Sequence, residues 1–318
     1  GLTKDQIGAF HWSPRELNSG PLFAGVAHTV NEVSAWRRQI QTLEEGDYDR
    51  RRTAWMAAED VVNDVRLIAD LCVAAYFGAQ KDKDREALRV EYRQLFDAWR
   101  TGGDRGARIE VEGIVSQLRD GERPVTPLHW AIEFPEVFGR EIPGFDGIVG
   151  NPPFLGGKRI STVFGESFRD WLGIRRGDVR GAADLCAYFF LLAMELCGAT
   201  SRCTAFGLIA TNSIGQGDTR EVGLAQLLGR GLSIYSATPS FSWPGNAAVT
   251  VSVVHVVGVG YRGRRELSGT DVEYISAYLA AMECDETPRA LRANHGLCST
   301  GVSVYGKGFV LSTSEKDE

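Results

Sequence analysis

The sequence lacks the features that define several protein classes. Its 318 residues include six cysteines without a CxxC pair and five histidines scattered singly, so neither a disulfide scaffold nor a metal site is indicated. The longest apolar run, Ala247 to Gly260, is shorter than the roughly 20 residues that span a bilayer, and polar residues interrupt it. No secretion signal is visible. We therefore expect a soluble, cytoplasmic protein with reduced thiols.

Signatures of two other enzyme classes are also missing. The segment GDTREVG contains no GKS or GKT with which to cradle a phosphate, so an ATPase is not indicated. The acidic pair Asp271 and Glu273 has no lysine after it at a spacing useful to a nuclease. The chain begins at Gly1 rather than at a methionine and ends in SEKDE, and we expect it to be a piece of a longer or processed protein.

The composition is that of a folded protein, with 43% apolar and 24% charged residues and a net charge of -6. Any polyanion must therefore be bound by a local basic patch. Residues 31–119 predict helices, because apolar residues recur at spacings of three and four, as in Val33, Trp36 and Ile40. A charged break around Gly46 is expected to join two antiparallel helices.

After Gly121 short apolar runs alternate with helical segments, which predicts an α/β layer architecture. The predicted strands are Leu128–Phe134, Phe145–Val149, Ala205–Ala210, Leu232–Ala237 and Val249–Val257. The predicted helices are Ala183–Leu196, Arg220–Leu228 and Asp271–Met282, with a linker from Arg262 onward and a short strand pair at Gly301–Leu311.

The most informative residues are Asn151, Pro152, Pro153 and Phe154, directly after a predicted strand. Two prolines make a rigid turn, because each fixes φ and removes a backbone donor. The Asn151 side-chain oxygen and the Pro152 carbonyl can accept both hydrogens of an exocyclic amine, and Phe154 can stack on a planar base. The alternative is a structural type I turn.

The block PLHWAIEFPEVFGREIPGFDGIVGNPPFLGGKRI resembles motif IV of the gamma-type amino-methylating DNA methyltransferases. In particular it resembles the large adenine enzymes of bacterial restriction-modification and phage defence, including combined restriction and modification enzymes and DISARM and BREX methyltransferases. It extends through ADLCAYFFLLAMELC (motif V), AFGLIATNSIGQGDTREVGL (motif VI) and FSWPGNAAVTVSVVHV (motif VIII).

This resemblance implies the C-terminal half of a class I, Rossmann-like α/β methyltransferase core, with an α-helical insertion before motif IV. The expected domains are a helical insertion at 1–120, a catalytic core at 121–261, and a linker with the start of a target-recognition region at 262–318. The implied activity is methyl transfer from S-adenosylmethionine to N6 of a flipped adenine in double-stranded DNA. Asn rather than Ser at the first motif position favours adenine.

The resemblance also implies roles for individual residues. Asp184 and Tyr188 would lie near the cofactor, and Trp243 or Phe241 would form a second wall around the flipped base; a packing role is the alternative for these aromatics. After Phe154 comes a predicted loop that is locally basic. Its candidate contacts to the DNA backbone are Lys158, Arg159, Arg175 and Arg176, with a solvated loop as the alternative.

One expected element is absent from the sequence. The family binds S-adenosylmethionine at a Gly-rich turn before motif IV, and residues 1–150 contain no such turn. We therefore expect a partner subunit or a further chain segment to supply it. Two alternatives stay open: a methyltransferase that acts on RNA or a protein amide, and a non-catalytic DNA-binding or scaffold half of a split enzyme.

Overall fold

A computed structural model describes residues 1–13, 21–176, 181–198, 204–243 and 249–282, without the side chains of residues 21–27, 175 and 176. The first part of the chain is helical, which confirms the prediction for residues 31–119. Its helices are α1 (Lys4–Ala9), α2 (Pro21–Thr42), α3 (Tyr48–Phe77), α4 (Asp82–Gly102) and α5 (Arg105–Asp120).

Local sequence explains where these helices end and how they pack. Gly103 ends α4 in the left-handed conformation with φ of 67°, and Asp104 then caps α5 by accepting from the amides of Gly106 and Ala107. The apolar faces of α2 to α5 meet in one core, to which Val33, Val62 and Val111 contribute.

A buried polar cluster joins this helical core to the segment that leads into the sheet. Asp70 on α3 contacts His129 Nε2 at 3.0 Å and Arg119 Nη2 at 2.7 Å. The other ring nitrogen, Nδ1 of His129, accepts from the backbone amide of Leu2 at 3.0 Å. Asp70 and His129 are almost fully buried, so the cluster fixes the start of the lead-in segment against α3 and α5.

The lead-in segment differs from the prediction. Leu128–Phe134 was expected to be a strand, and that prediction is wrong, since two short helices form there instead: α6 (Trp130–Glu133) and α7 (Pro135–Phe138). Trp130 and Phe134, four residues apart, stack with ring centroids at 5.6 Å, and both rings pack against Phe145. Aromatic packing at helical spacing therefore overrides the strand-like run.

Six strands form one mixed sheet in the order β1-β2-β4-β3-β5-β6. They are β1 (Gly147–Gly150), β2 (Ala205–Thr211), β3 (Ser233–Ser242), β4 (Thr250–Val257), β5 (Arg265–Leu267) and β6 (Thr270–Val272). β1 and β2 are parallel, and β4 lies antiparallel between β2 and β3. The strands predicted at Phe145–Val149, Ala205–Ala210, Leu232–Ala237 and Val249–Val257 are confirmed with shifted ends.

The helices of this part are α8 (Gly157–Phe164), α9 (Glu166–Arg176), α10 (Leu185–Leu196), α11 (Gly217–Val222) and α12 (Leu224–Gly229). The helix predicted at Ala183–Leu196 is confirmed as α10, whereas the one at Arg220–Leu228 is divided at Gly223. The core between sheet and helices includes Phe190, Leu208 and Val254.

Two predictions for the end of the chain are corrected. The linker predicted from Arg262 contains the β5–β6 hairpin, whose turn residues Ser268 and Gly269 both have positive φ, as in a type I′ hairpin turn. The helix predicted at Asp271–Met282 is wrong, because β6 ends at Val272 and turns follow. The predicted strand pair at Gly301–Leu311 lies outside the described residues, and the proposed domain boundaries stay predictions.

None of the described helices combines the length and the hydropathy that crossing a membrane requires.

The buried histidine predicts a pH dependence of stability. Burial lowers the pKa of His129 below its ordinary value of 6.5, against the opposing effect of Asp70. Below about pH 6.5 the unfolded chain therefore binds a proton at His129 that the folded chain resists, and the free energy of unfolding decreases as the pH falls. Above that pH His129 is neutral in both states, and its full contribution to stability is present. Chemical denaturation at a series of pH values measures the effect.

The control is His129→Gln, whose amide can accept from Leu2 and donate to Asp70 without titrating. The variant should show a shallower loss of stability below about pH 6.5 than the wild type. Equal slopes in the two proteins would contradict the assignment.

Candidate active site at the carboxyl edge of the sheet

The site begins where the chain leaves β1. Gly150 is the last paired residue, opposite Leu208 of β2, and Asn151 follows it at the carboxyl end of the strand. Asn151 and Pro153 are exposed, Pro152 is buried, and Phe154 is half-buried against the α/β core. Asn151 is thus open to a ligand, as the predicted amine-binding role requires.

Two neighbouring strands end at the same edge. β2 ends at Thr211, whose Oγ1 lies 2.8 Å from Oγ of Ser213 in a short 3-10 helix, Asn212–Gly215. β3 is parallel to β1 and β2, because both β2 and β3 pair antiparallel with β4. The edge therefore collects Asn151, the polar Thr211–Ser213 segment and the end of β3.

Phe241 and Trp243, the predicted second wall, are at the end of β3 and just beyond it. Both are half-buried, and the Trp243 amide donates to the carbonyl of Val249 at 3.0 Å. Because β2 and β4 lie between β1 and β3, the strands that carry Asn151 and Phe241 are about 14 Å apart. The two aromatics share the edge with Phe154, and their stacking role stays a prediction.

Asp184 contacts the backbone directly after the diproline turn, which comprises Asn151–Phe154. It caps α10, and its Oδ1 accepts from the amides of Cys186 at 3.0 Å and Leu155 at 3.3 Å. The backbone amide of Leu185 donates to the Leu155 carbonyl at 2.9 Å. The carboxylate predicted to lie near the cofactor therefore binds the residue that directly follows Phe154.

Tyr188 lies on α10, one helical turn after Asp184. It is 8% exposed and lines a cleft of about 1370 Å³ between the helical part and α8 and α9. Trp12, Arg85 and Lys158 line the same cleft, whereas the residues Asn151 to Phe154 do not. Tyr188 also belongs to the α/β core against which Phe154 and Leu155 pack, and its contact with a cofactor stays a prediction.

The basic segment after Phe154 was predicted as a loop, and that prediction is wrong because α8 and α9 form there. Lys158 and Arg159 are exposed in the first turn of α8, directly after the diproline turn. Arg169 on α9 is paired with Glu166 and Asp170. The side chains of Arg175 and Arg176 lie outside the described residues, so only Lys158 and Arg159 can be placed beside the site.

The thiol of Cys186, at the start of α10, stays protonated. Burial, reinforced by the neighbouring Asp184 carboxylate, raises the pKa of the Cys186 thiol to about 12. A thiol of this kind is not a nucleophile at neutral pH. The groups that the diproline turn offers to a ligand are instead oxygen acceptors and the ring of Phe154, which can hold and orient an amine.

The sequence analysis missed Asp218 and Thr219, two residues of α11 that bind the backbone just before α10. Thr219 Oγ1 accepts from the Asp184 amide at 3.1 Å, and Asp218 Oδ2 accepts from the Ala182 amide at 2.7 Å. The position of Asp184 before an apolar helix is a recognisable N-cap signal. Thr219 carries no comparable signal, because its contact depends on how α11 packs against α10.

Comparison with known proteins identifies the family. A family model described as the MmeI DNA-methyltransferase domain matches residues 86–271, which is more than half of the chain. The chain belongs to this family. Its matched part runs from α4 through the whole diproline region to β6. The DNA-methyltransferase family expected from the sequence is thereby confirmed.

Two relatives of the MmeI-type chain are longer proteins. DNA methyltransferase A of Bacillus subtilis (strain 168) is 28% identical over 162 residues, which cover 47% of this chain and 18% of that protein. The solved structure of the type IIL restriction-modification enzyme MmeI in complex with DNA is 15% identical, with a TM-score of 0.40, and is matched over 79% of this chain and 39% of its own. The chain thus spans well under half of either relative.

Two adjacent glycines, Gly156 and Gly157, allow a test of whether close packing constrains the chain between the diproline turn and α8. A Cβ on Gly157 would lie 2.3 Å from the Ala182 backbone, whereas a Cβ on Gly156 would meet nothing within 4 Å. Gly157→Ala should therefore displace the start of α8 and lower the free energy of unfolding by about 1–3 kcal/mol. Thermal or chemical denaturation measures this loss.

Gly156→Ala is the matched control and should change the free energy of unfolding by less than about 0.5 kcal/mol. Equal losses in the two variants would show that the close approach of Gly157 to Ala182 does not constrain the loop.

Proposed function

We propose that this chain is the part of an S-adenosylmethionine-dependent DNA methyltransferase that holds the target base, and that it methylates N6 of adenine. The proposed biological role is host modification or anti-phage defence, in an enzyme of the gamma type related to DISARM and BREX methyltransferases. The observation that carries the proposal is the exposed Asn151 in a rigid diproline turn at the carboxyl end of β1. Membership of the DNA-methyltransferase family supports it.

The chemistry follows from the acceptors of the turn. An adenine amine offers two hydrogens, which the Asn151 side-chain oxygen and the Pro152 carbonyl accept. Accepting both draws the nitrogen toward tetrahedral geometry and makes its lone pair available for attack. S-adenosylmethionine would supply the methyl group, with the electron pair of the broken S–C bond left on sulfur in the S-adenosylhomocysteine product, and the enzyme contributes mainly by orienting the amine. The proton that the amine loses leaves to solvent after transfer.

The target base must leave the duplex to reach this turn, at a cost of a few kcal/mol. The half-buried ring of Phe154 offers one stacking surface, which recovers about 1–3 kcal/mol. Lys158 and Arg159, exposed one turn further along the chain, are suited to contact the flanking phosphates. Phe241 or Trp243 is proposed as the second stacking surface.

The cofactor site requires more than the described residues provide. Asp184 is held in hydrogen bonds to backbone amides, and residues 1–150 contain no Gly-rich cofactor turn. β1 is an edge strand of the described sheet, and Val149 in it is 87% exposed. We propose that a segment from a partner subunit or from elsewhere in the enzyme pairs with this edge and brings the Gly-rich cofactor turn. A Rossmann-like sheet with its crevice at the carboxyl strand ends would result.

The first test removes the acceptor side chain. In the complete enzyme, Asn151→Ala should lower the rate of labelled methyl transfer to DNA by at least about 10²-fold, the effect of removing one preorganised polar group from a transition state. Mass spectrometry of the digested product should identify N6-methyladenine. Asn63→Ala, an exposed asparagine on α3, is the control and should retain the wild-type rate.

Undiminished labelling in Asn151→Ala would remove the proposed mechanism. Methyl found on RNA or protein would replace the proposed substrate with one of the alternatives, and methyl found on cytosine N4 would contradict the proposed adenine specificity.

The second test concerns the edge of β1 that is unpaired in the described sheet. If another segment covers Val149, burial of this side chain contributes about 1.5–3 kcal/mol to docking, and Val149→Asp should weaken cofactor binding by the complete enzyme at least tenfold. Isothermal titration with S-adenosylmethionine measures the change. Val90→Asp, at an exposed valine on α4, is the control. Equal affinities in the two variants would argue against docking at this edge.

A further inference from the structure

We infer that Asp184 is a positioning residue, which sets the conformation of the diproline turn through the backbone of Leu155. This inference rests on the proposed function and gives Asp184 a role other than cofactor contact. It depends on one carboxylate oxygen that is shared between the end of the turn and the start of α10.

The shared oxygen ties two elements that are distant in sequence. Oδ1 of Asp184 accepts from the Leu155 amide at 3.3 Å and from the Cys186 amide at 3.0 Å. The Leu155 carbonyl in turn accepts from the Leu185 amide at 2.9 Å. Both polar groups of the Leu155 backbone are therefore fixed to the first residues of α10, directly after Phe154.

The opposite end of the turn is fixed by the sheet. Gly150 is in register with Leu208, so the four residues Asn151 to Phe154 span two fixed points. Within this span the prolines restrict φ at two positions. Few backbone conformations remain, so the position from which the Asn151 side chain leaves the backbone depends on both anchors.

Asp184 is itself held in place from α11. Its amide donates to Thr219 Oγ1 at 3.1 Å, and the neighbouring Ala182 amide donates to Asp218 Oδ2 at 2.7 Å. The Asp184 residue is 8% exposed, so water competes weakly for its hydrogen bonds. The anchor is thus a buried contact between the diproline turn, α10 and α11.

Loss of this anchor should affect the chemical step more than binding. A displacement of about 1 Å in a positioning contact can cost about 10²-fold in rate. We expect Asp184→Ala to lower kcat by about that factor, with the KM for DNA and the Kd for S-adenosylmethionine changed less than threefold. Asp184→Asn should restore kcat to within about fivefold of wild type, because an amide oxygen can accept both bonds and asparagine caps helices as well as aspartate does.

Asp104 provides the matched control. It caps α5 through the amides of Gly106 at 2.8 Å and Ala107 at 3.2 Å, and it is exposed in the helical part. Asp104→Ala therefore removes a helix cap of the same kind, and kcat should stay at the wild-type value. This comparison separates positioning of the turn from a general loss of stability.

The experiment measures kcat, KM and cofactor Kd for the complete enzyme and the three variants, together with hydrogen exchange at the Leu155 amide. Faster exchange at Leu155 and a lower kcat in Asp184→Ala alone would support the inference. It would be overturned by an unchanged kcat in Asp184→Ala, by equal losses in Asp104→Ala, or by a raised cofactor Kd in Asp184→Asn, which indicates direct contact with the cofactor. A wild-type enzyme without methyl transfer would refute the proposed function, while exchange at Leu155 would still test the anchor.

Discussion

The arrangement of the site depends on a short turn whose two ends are fixed by backbone hydrogen bonds. On one side, β1 pairs with β2 up to Gly150; on the other, Leu155 is bound to Asp184 and Leu185. Fixed ends and two prolines remove most of the freedom of the intervening residues. The backbone at Asn151 is therefore restricted, and in the proposed mechanism this restriction helps to orient its side-chain oxygen. The entropic cost of that orientation is met when the chain folds.

The helical part takes part in fixing the strand that carries this turn. Asp70 on α3 binds His129, and Arg66 on the same helix pairs with Glu133 at 2.7 Å. Both partners lie in the lead-in segment before β1. Phe145, just before the strand, packs on the rings of Trp130 and Phe134 and donates its amide to the Leu196 carbonyl. The helices and α10 thus hold the approach to β1 from two sides.

The sequence predicted those helices and strands whose pattern of apolar residues indicates which face is buried. Long helices with apolar spacing, and buried strands such as Ala205–Thr211, were found because their patterns reflect the faces they bury. Leu128–Phe134 was misassigned, since a run of apolar residues does not show whether aromatic rings pack at helical or strand spacing. The hairpin at β5 and β6 was missed because its strands are three residues long. Asp184 was recognised as important, but its bond to Leu155 depends on tertiary packing.

The strand that presents Asn151 is also the strand with the exposed edge. A segment that paired with β1 would add hydrogen bonds along Gly147–Gly150 and cover Val149, both directly before the diproline turn. In the proposed enzyme, docking of the cofactor-binding segment and orientation of the target amine therefore both depend on β1. Pairing on both sides would hold β1 more rigidly than pairing with β2 alone. Completion of the cofactor site and precise placement of Asn151 would then occur together, because a single strand serves both.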